Sequence, residues 1–248
     1  MADYDNRLMR GATVGADAVD AGLRTYMLRV YNYMLVGLGL TGAVAWLTAN
    51  TPLSNIFYNE VATANGVALQ PNILGWIAMF APLGMVLLLS FRIQKMSFAA
   101  AQATFWAYAA VMGVSLSTIL FVYTGSSIAM TFFVTAATFG AMSLYGYTTQ
   151  RDLTGMGSFL FMGLIGLILA SLANMFFLST QLQFVISVIG VLIFTGLTAY
   201  DSQSIKNMYF AGDDGEVMGK KAIMGALRLY LDFINLFLYL LRFMGNRR

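Results

Sequence analysis

The chain has 248 residues, of which 59% are hydrophobic and only 10% charged, and its mean hydropathy is +0.72. A soluble domain carries about 25% charged residues, so a soluble fold of this size could not hide so much apolar surface, and the surplus faces lipid. The net charge of +3 resides in Lys and Arg at the ends of apolar runs, where they set orientation, so no nucleic-acid partner is read from it. With no Cys and no His, the chain has no disulfide, thiolate metal site, His-ligated zinc or haem, Ser-His triad or histidine pH switch. Any proton sensing near neutral pH falls to carboxylates or a lysine.

In chain order, residues 1–27 are polar, small and mixed in charge, and read as a cytosolic tail with a surface helix near Ala18–Met27. The remainder, 28–248, reads as one transmembrane domain. Its spans are Leu28–Ala49, Pro71–Ser90, Phe98–Val122, Ile128–Tyr147, Gly157–Leu178, Phe184–Ile205 and Ala222–Leu241. Each is close to the ~20 residues that cross a bilayer as helix. The expected fold class is therefore an all-α membrane protein, a seven-transmembrane-helix bundle. A β-barrel would need ~10-residue strands of alternating polarity, and none is present. Ala43-Val44-Ala45 mimics a signal-peptidase site, but its apolar run is too long and starts too late for a signal peptide. Pro82 interrupts the second span and should kink it.

Loop charges orient the bundle. Arg92 and Lys95 follow the second span, Arg151 the fourth, and Lys206, Lys220 and Lys221 flank the loop after the sixth. The loops after the first, third and fifth spans carry no Lys or Arg. The positive-inside rule then puts the N-terminus in the cytosol. Arg242, Arg247 and Arg248 resist this pattern, because seven full spans place them outside. The last helix either spans as a core helix, the reading adopted here, or enters and returns on the same side. The acidic loop segment Gly212-Asp213-Asp214-Gly215-Glu216 lacks EF-hand spacing and reads as a solvated loop.

Ionisable residues inside spans are costly, and each is a functional hypothesis. Asp201 lies near the cytosolic end of the sixth span and Asp232 in the last helix, with Arg228 four residues before it on the same face. Two close carboxylates in a low-dielectric site cannot both ionise freely and can share a proton. Such a pair is a pH sensor without histidine and, when deprotonated, a hard-oxygen site for Ca²⁺. The blander alternative leaves Asp201 hydrated at the interface and Asp232 neutralising Arg228. The pair meets only if the last helix begins outside the membrane, nearer Arg228 than Lys221.

Thr149-Gln150-Arg151-Asp152-Leu153, the stretch Leu197-Thr198-Ala199-Tyr200-Asp201-Ser202-Gln203, and the residues from Gly113-Val114-Ser115-Leu116 to Thr135-Ala136-Ala137-Thr138-Phe139 resemble the Bax inhibitor family, the transmembrane Bax inhibitor motif proteins. The resemblance runs from the first span to the end. It implies a seven-helix bundle with the last helix in the centre, and a bacterial inner-membrane location. It also implies a pH-sensitive Ca²⁺ leak channel, not an enzyme, with no cofactor and Ca²⁺ as transported ion. In that scheme Asp201 and Asp232 share a proton and bind the metal, while an arginine latches to them. By position this is Arg92, with Arg228 the next candidate. Bacterial members are also associated with a membrane-anchored AAA protease that they restrain, which makes a regulatory binding partner the second reading. An intramembrane aspartyl protease is the third, but it requires Gly-x-Gly-Asp, and Leu229-Tyr230-Leu231 precede Asp232.

Overall fold

The computed structural model describes the backbone of residues 2–63 and 66–247, and the side chains of residues 20–61 and 69–247. Helix α1 spans Ala2–Asn50 and is followed by a single turn, α2, at Ser54–Phe57. Strands β1 (Tyr58–Thr63) and β2 (Gly66–Pro71) pair antiparallel, Tyr58 opposite Pro71 and Thr63 opposite Gly66. Then come α3 (Ile73–Arg92), a 3₁₀ turn (Ile93–Lys95), α4 (Phe98–Val122), α5 (Gly125–Thr148), α6 (Thr154–Phe177), α7 (Thr180–Asn207) and α8 (Gly215–Met244). Seven of these helices are long and apolar enough to cross a membrane. The chain is an integral multi-pass helical protein.

Most helices begin earlier than hydropathy alone predicts, because polar caps lie outside the apolar runs. Ser97, Thr124, Ser179 and Asp214 each accept the amide of the residue three further on, closing the first turns of α4, α5, α7 and α8. Asp214 thereby starts α8 seven residues before the predicted Ala222. Its neighbours in the acidic loop are also occupied: Asp213 pairs with Lys221, and Glu216 lies 3.3 Å from Lys220. Before α6, the exposed Asp152 carboxylate accepts the amide and hydroxyl of Thr154, which hold it below the usual carboxylate range.

Helix α1 runs straight through residue 27, where the tail meets the first span. Tyr26 and Met27 are buried in the same core as Val30, Ile223 and Ala226. This packing ties α1 to α8 beside the end of α7, where Gly225 meets both Ile205 and Val30. Lys220 Nζ donates to Met96 O at 3.4 Å and Lys221 Nζ to Met208 O at 3.0 Å, so both cations satisfy loop carbonyls at that end. The segment after the first span, read as loop, is the hairpin. Tyr58 Oη lies 3.0 Å from Ser117 Oγ and pins it to α4.

α8 is the most buried of the spans: 67% of its membrane window is buried, against 6% for α6. It packs on α1, α4, α5 and α7, while α6 packs on α7 and α3 on α4. At 1.5 Å per residue, its 30 residues extend roughly 45 Å. The chain beyond it reaches the α4–α5 connection. There Thr124 donates its amide to Asn246 O at 3.1 Å, and Asn246 donates to Ser127 Oγ at 3.0 Å. α8 therefore crosses completely and does not return. Arg242 and Arg247, on the poorly charged side, lie over the rings of Tyr239 and Tyr123. Because the chain has no Cys, this is directly testable. Single variants Gly212→Cys and Asn246→Cys should be labelled by an impermeant thiol reagent from opposite membrane faces. Labelling from one face would mean that α8 does not cross.

Candidate functional site

Asp201 sits six residues before the end of α7, whereas Asp232 sits seventeen residues into α8. These are depths of roughly 9 and 26 Å from the respective helix ends. The early start of α8 compensates for the difference and brings both carboxyls to one level. They face each other within hydrogen-bonding reach. Two carboxylates have no donor between them, so this contact becomes a bond only when one holds a proton. Asp232 is buried, and its Oδ2 has no other partner among the described residues.

Arg228 stands one turn from Asp232 on α8. It is close enough to act electrostatically on both aspartates, yet forms no ion pair within 4 Å with either. Its Nη1 reaches Ser204 Oγ at 3.5 Å. Arg92 is placed differently. It ends α3, is exposed, and neither contacts the aspartates nor lines their cavity. The structure thus brings together three of the four residues singled out from sequence and leaves the fourth apart.

The three line a cavity of about 760 Å³ between α6, α7 and α8. It exists because α6 leans chiefly on α7. Gly157 lets α6 meet the ring of Tyr200, since a Cβ there would overlap that ring. On α8, Arg228, Leu231, Asn235 and Tyr239 form a half-buried stripe at helical spacing along the cavity. Among the described residues there is no cluster of three or more Asp, Glu, His or Cys. Two aspartates and Asn235 supply fewer oxygens than the 6–8 a resident Ca²⁺ takes. The arrangement suits a cation that keeps part of its water shell.

Sequence reasoning passed over two features. Asn235 lies three residues beyond Asp232 and seven beyond Arg228, so its place on the cavity face is legible from helical periodicity. The other feature is a hydroxyl chain from three spans. Ser202 Oγ donates to Thr198 O at 2.8 Å, leaving Ser143 Oγ to donate to Ser202 at 2.8 Å and Tyr31 Oη to donate to Ser143 at 2.6 Å. It crosses from α1 through α5 to α7, ending one residue from Asp201. No local pattern announces it.

A bundle of seven spans with a facing acid pair between its last two helices, Asp232 buried and Asp201 half-buried, defines a polytopic membrane protein with an intramembrane polar site. Residues 23–248 match the family described as "Inhibitor of apoptosis-promoting Bax1", and the chain belongs to this Bax inhibitor family, a family of membrane proteins. It is 51% identical to the inner membrane protein YbhL of Escherichia coli over 232 residues, covering 92% of this chain and 94% of YbhL. It is 49% identical to protein RP147 of Rickettsia prowazekii over the full length of both chains. A Caulobacter vibrioides protein shares 45% identity over 93% of this chain and 92% of its own.

Proposed function

We propose that this protein is a pH-sensitive calcium leak channel of a bacterial inner membrane, with its N-terminus in the cytosol. The observation that carries the reading is the Asp201–Asp232 contact inside a membrane bundle, at the wall of a cavity. Ionised carboxyls in a span are expensive unless paired or hydrated, and where present they mark ion or proton pathways. One shared proton joins α7 to α8. Its loss leaves two carboxylates in repulsion and adds negative charge facing the cavity. Helix contact and cation attraction therefore respond to the same titration. Arg228 supplies the countercharge that keeps the pair from holding a resident ion. Location follows the inner-membrane relative, and orientation follows the lysines and arginines of the α3–α4, α5–α6 and α7–α8 connections.

The test is Ca²⁺ influx into liposomes that contain the purified protein and a Ca²⁺ dye, followed from about pH 5 to 8. Flux above empty liposomes should vary with pH, and Asp201→Asn and Asp232→Asn should each abolish that variation, because either removes the coupling. No flux at any pH, or folded Asn variants that keep the wild-type midpoint, would overturn the reading.

A further inference from the structure

A second cavity, about 700 Å³, lies on another side of the bundle between α1 and α5. Both helices pack on α8 and meet each other mainly through the Tyr31–Ser143 hydrogen bond, so a groove remains with Phe233 of α8 as its floor. Apart from the mutually bonded hydroxyls of Tyr31 and Ser143 its walls are apolar below the mouth, and Leu28, Leu35 and Leu144 are exposed along them. Gly140 widens the α5 wall, where an added side chain would meet open space.

Depth and charge identify what fits. The lining runs over twelve residues, eleven helical rises, on each wall, from Arg24 to Leu35 and from Tyr147 back to Ala136. That is roughly 16 Å, about half of the ~30 Å hydrocarbon core, and so the depth of a single leaflet. Arg24 stands at the mouth with no ion-pair partner within 4 Å among the described residues. At the same end, Lys206 Nζ donates to Tyr147 O at 2.9 Å and sits over the Tyr147 ring. No acidic residue lines the groove. An apolar slot one leaflet deep, with cations only at its open end, complements an acyl chain attached to an anionic headgroup.

We propose that the α1–α5 groove is a binding site for an anionic phospholipid of the leaflet on the Arg24 side, its phosphate at Arg24 and one acyl chain against Leu28, Leu35 and Gly140. The site is separate from the aspartate cavity, and its test does not depend on ion flux.

Delipidated protein would be given phosphatidylglycerol and phosphatidylcholine at equal concentration, and the retained lipid counted by native mass spectrometry. Phosphatidylglycerol should be preferred, and Arg24→Gln should reduce the preference by about fivefold, the weight of one basic side chain at an anionic surface. Gly140→Leu, which fills the slot, should remove the retained lipid. Gly166→Leu, equally open but on lipid-facing α6, should not. Equal retention of the two lipids by the wild type would overturn the proposal, as would undiminished phosphatidylglycerol on folded Gly140→Leu. Should Gly140→Leu fail to fold, the exposed Arg24→Gln decides alone.

Discussion

Gly146→Ala is expected to lower the unfolding temperature in detergent by on the order of 10 °C, while Gly140→Ala on the same helix leaves it unchanged or slightly higher. At Gly146, α5 lies directly on the α7 backbone. A Cβ there would overlap the carbonyl oxygen, carbon and Cα of Ala199. Backbone cannot rotate aside as a side-chain tip can, so the two helices must separate. Overpacking a core costs about 1–3 kcal/mol and sometimes more. A second loss follows from the same movement. Ser143 and Ser202, each one turn from this contact, lie 2.8 Å apart and buried, and separation stretches that bond at a cost of about 1 kcal/mol. At Gly140 a Cβ meets nothing within 4 Å, and alanine is the better helix former by about 1 kcal/mol. Thermal unfolding of the two variants side by side checks the pair. Equal unfolding temperatures would mean that α5 and α7 do not approach as closely as this.

The contrast between those two glycines also marks what a sequence can carry. Both are small residues of the kind that favours close helix packing, but which glycine faces a neighbour and which faces lipid depends on the rotation of α5. The spans themselves were legible because a bilayer demands ~20 apolar residues per crossing. Their ends were less so, since the caps Thr124, Ser179 and Asp214 are polar residues outside the hydropathy signal. The hairpin at Tyr58–Thr63 and Gly66–Pro71 was missed because a short two-stranded ribbon has no core of its own to leave a pattern. Asp201 and Asp232 stood out as carboxylates in apolar runs. Their meeting requires α8 to begin well before its apolar run, and the Asp214 cap starts it at Gly215. For the arginines, depth along a helix was readable but direction around the bundle was not. Arg92 was therefore the first candidate on paper and Arg228 the next, yet only Arg228 shares the cavity with the acids.

The pH profile of Arg228→Gln should therefore be displaced to higher pH, with its amplitude retained. Arg228 favours the ionised form of both neighbouring carboxyls. Without the cation, the shared proton is held to higher pH. This sign holds whichever protonation state conducts, because the substitution moves the titration and not the link between titration and flux. Arg228 is half-buried, so added salt screens it less than it would an exposed charge, and the displacement should persist at raised ionic strength. Arg92→Gln is the comparison that discriminates. In this conformation Arg92 is exposed and remote from the pair, so its removal should leave the midpoint in place. A displacement from Arg92→Gln as large as that from Arg228→Gln would require α3 to carry Arg92 to the aspartates in another state of the bundle, which is the latch that the family resemblance implies. If neither substitution moves the midpoint while Asp201→Asn and Asp232→Asn abolish the pH dependence, both arginines are electrostatically silent at the site. Arg228 would then act only through its contact with Ser204.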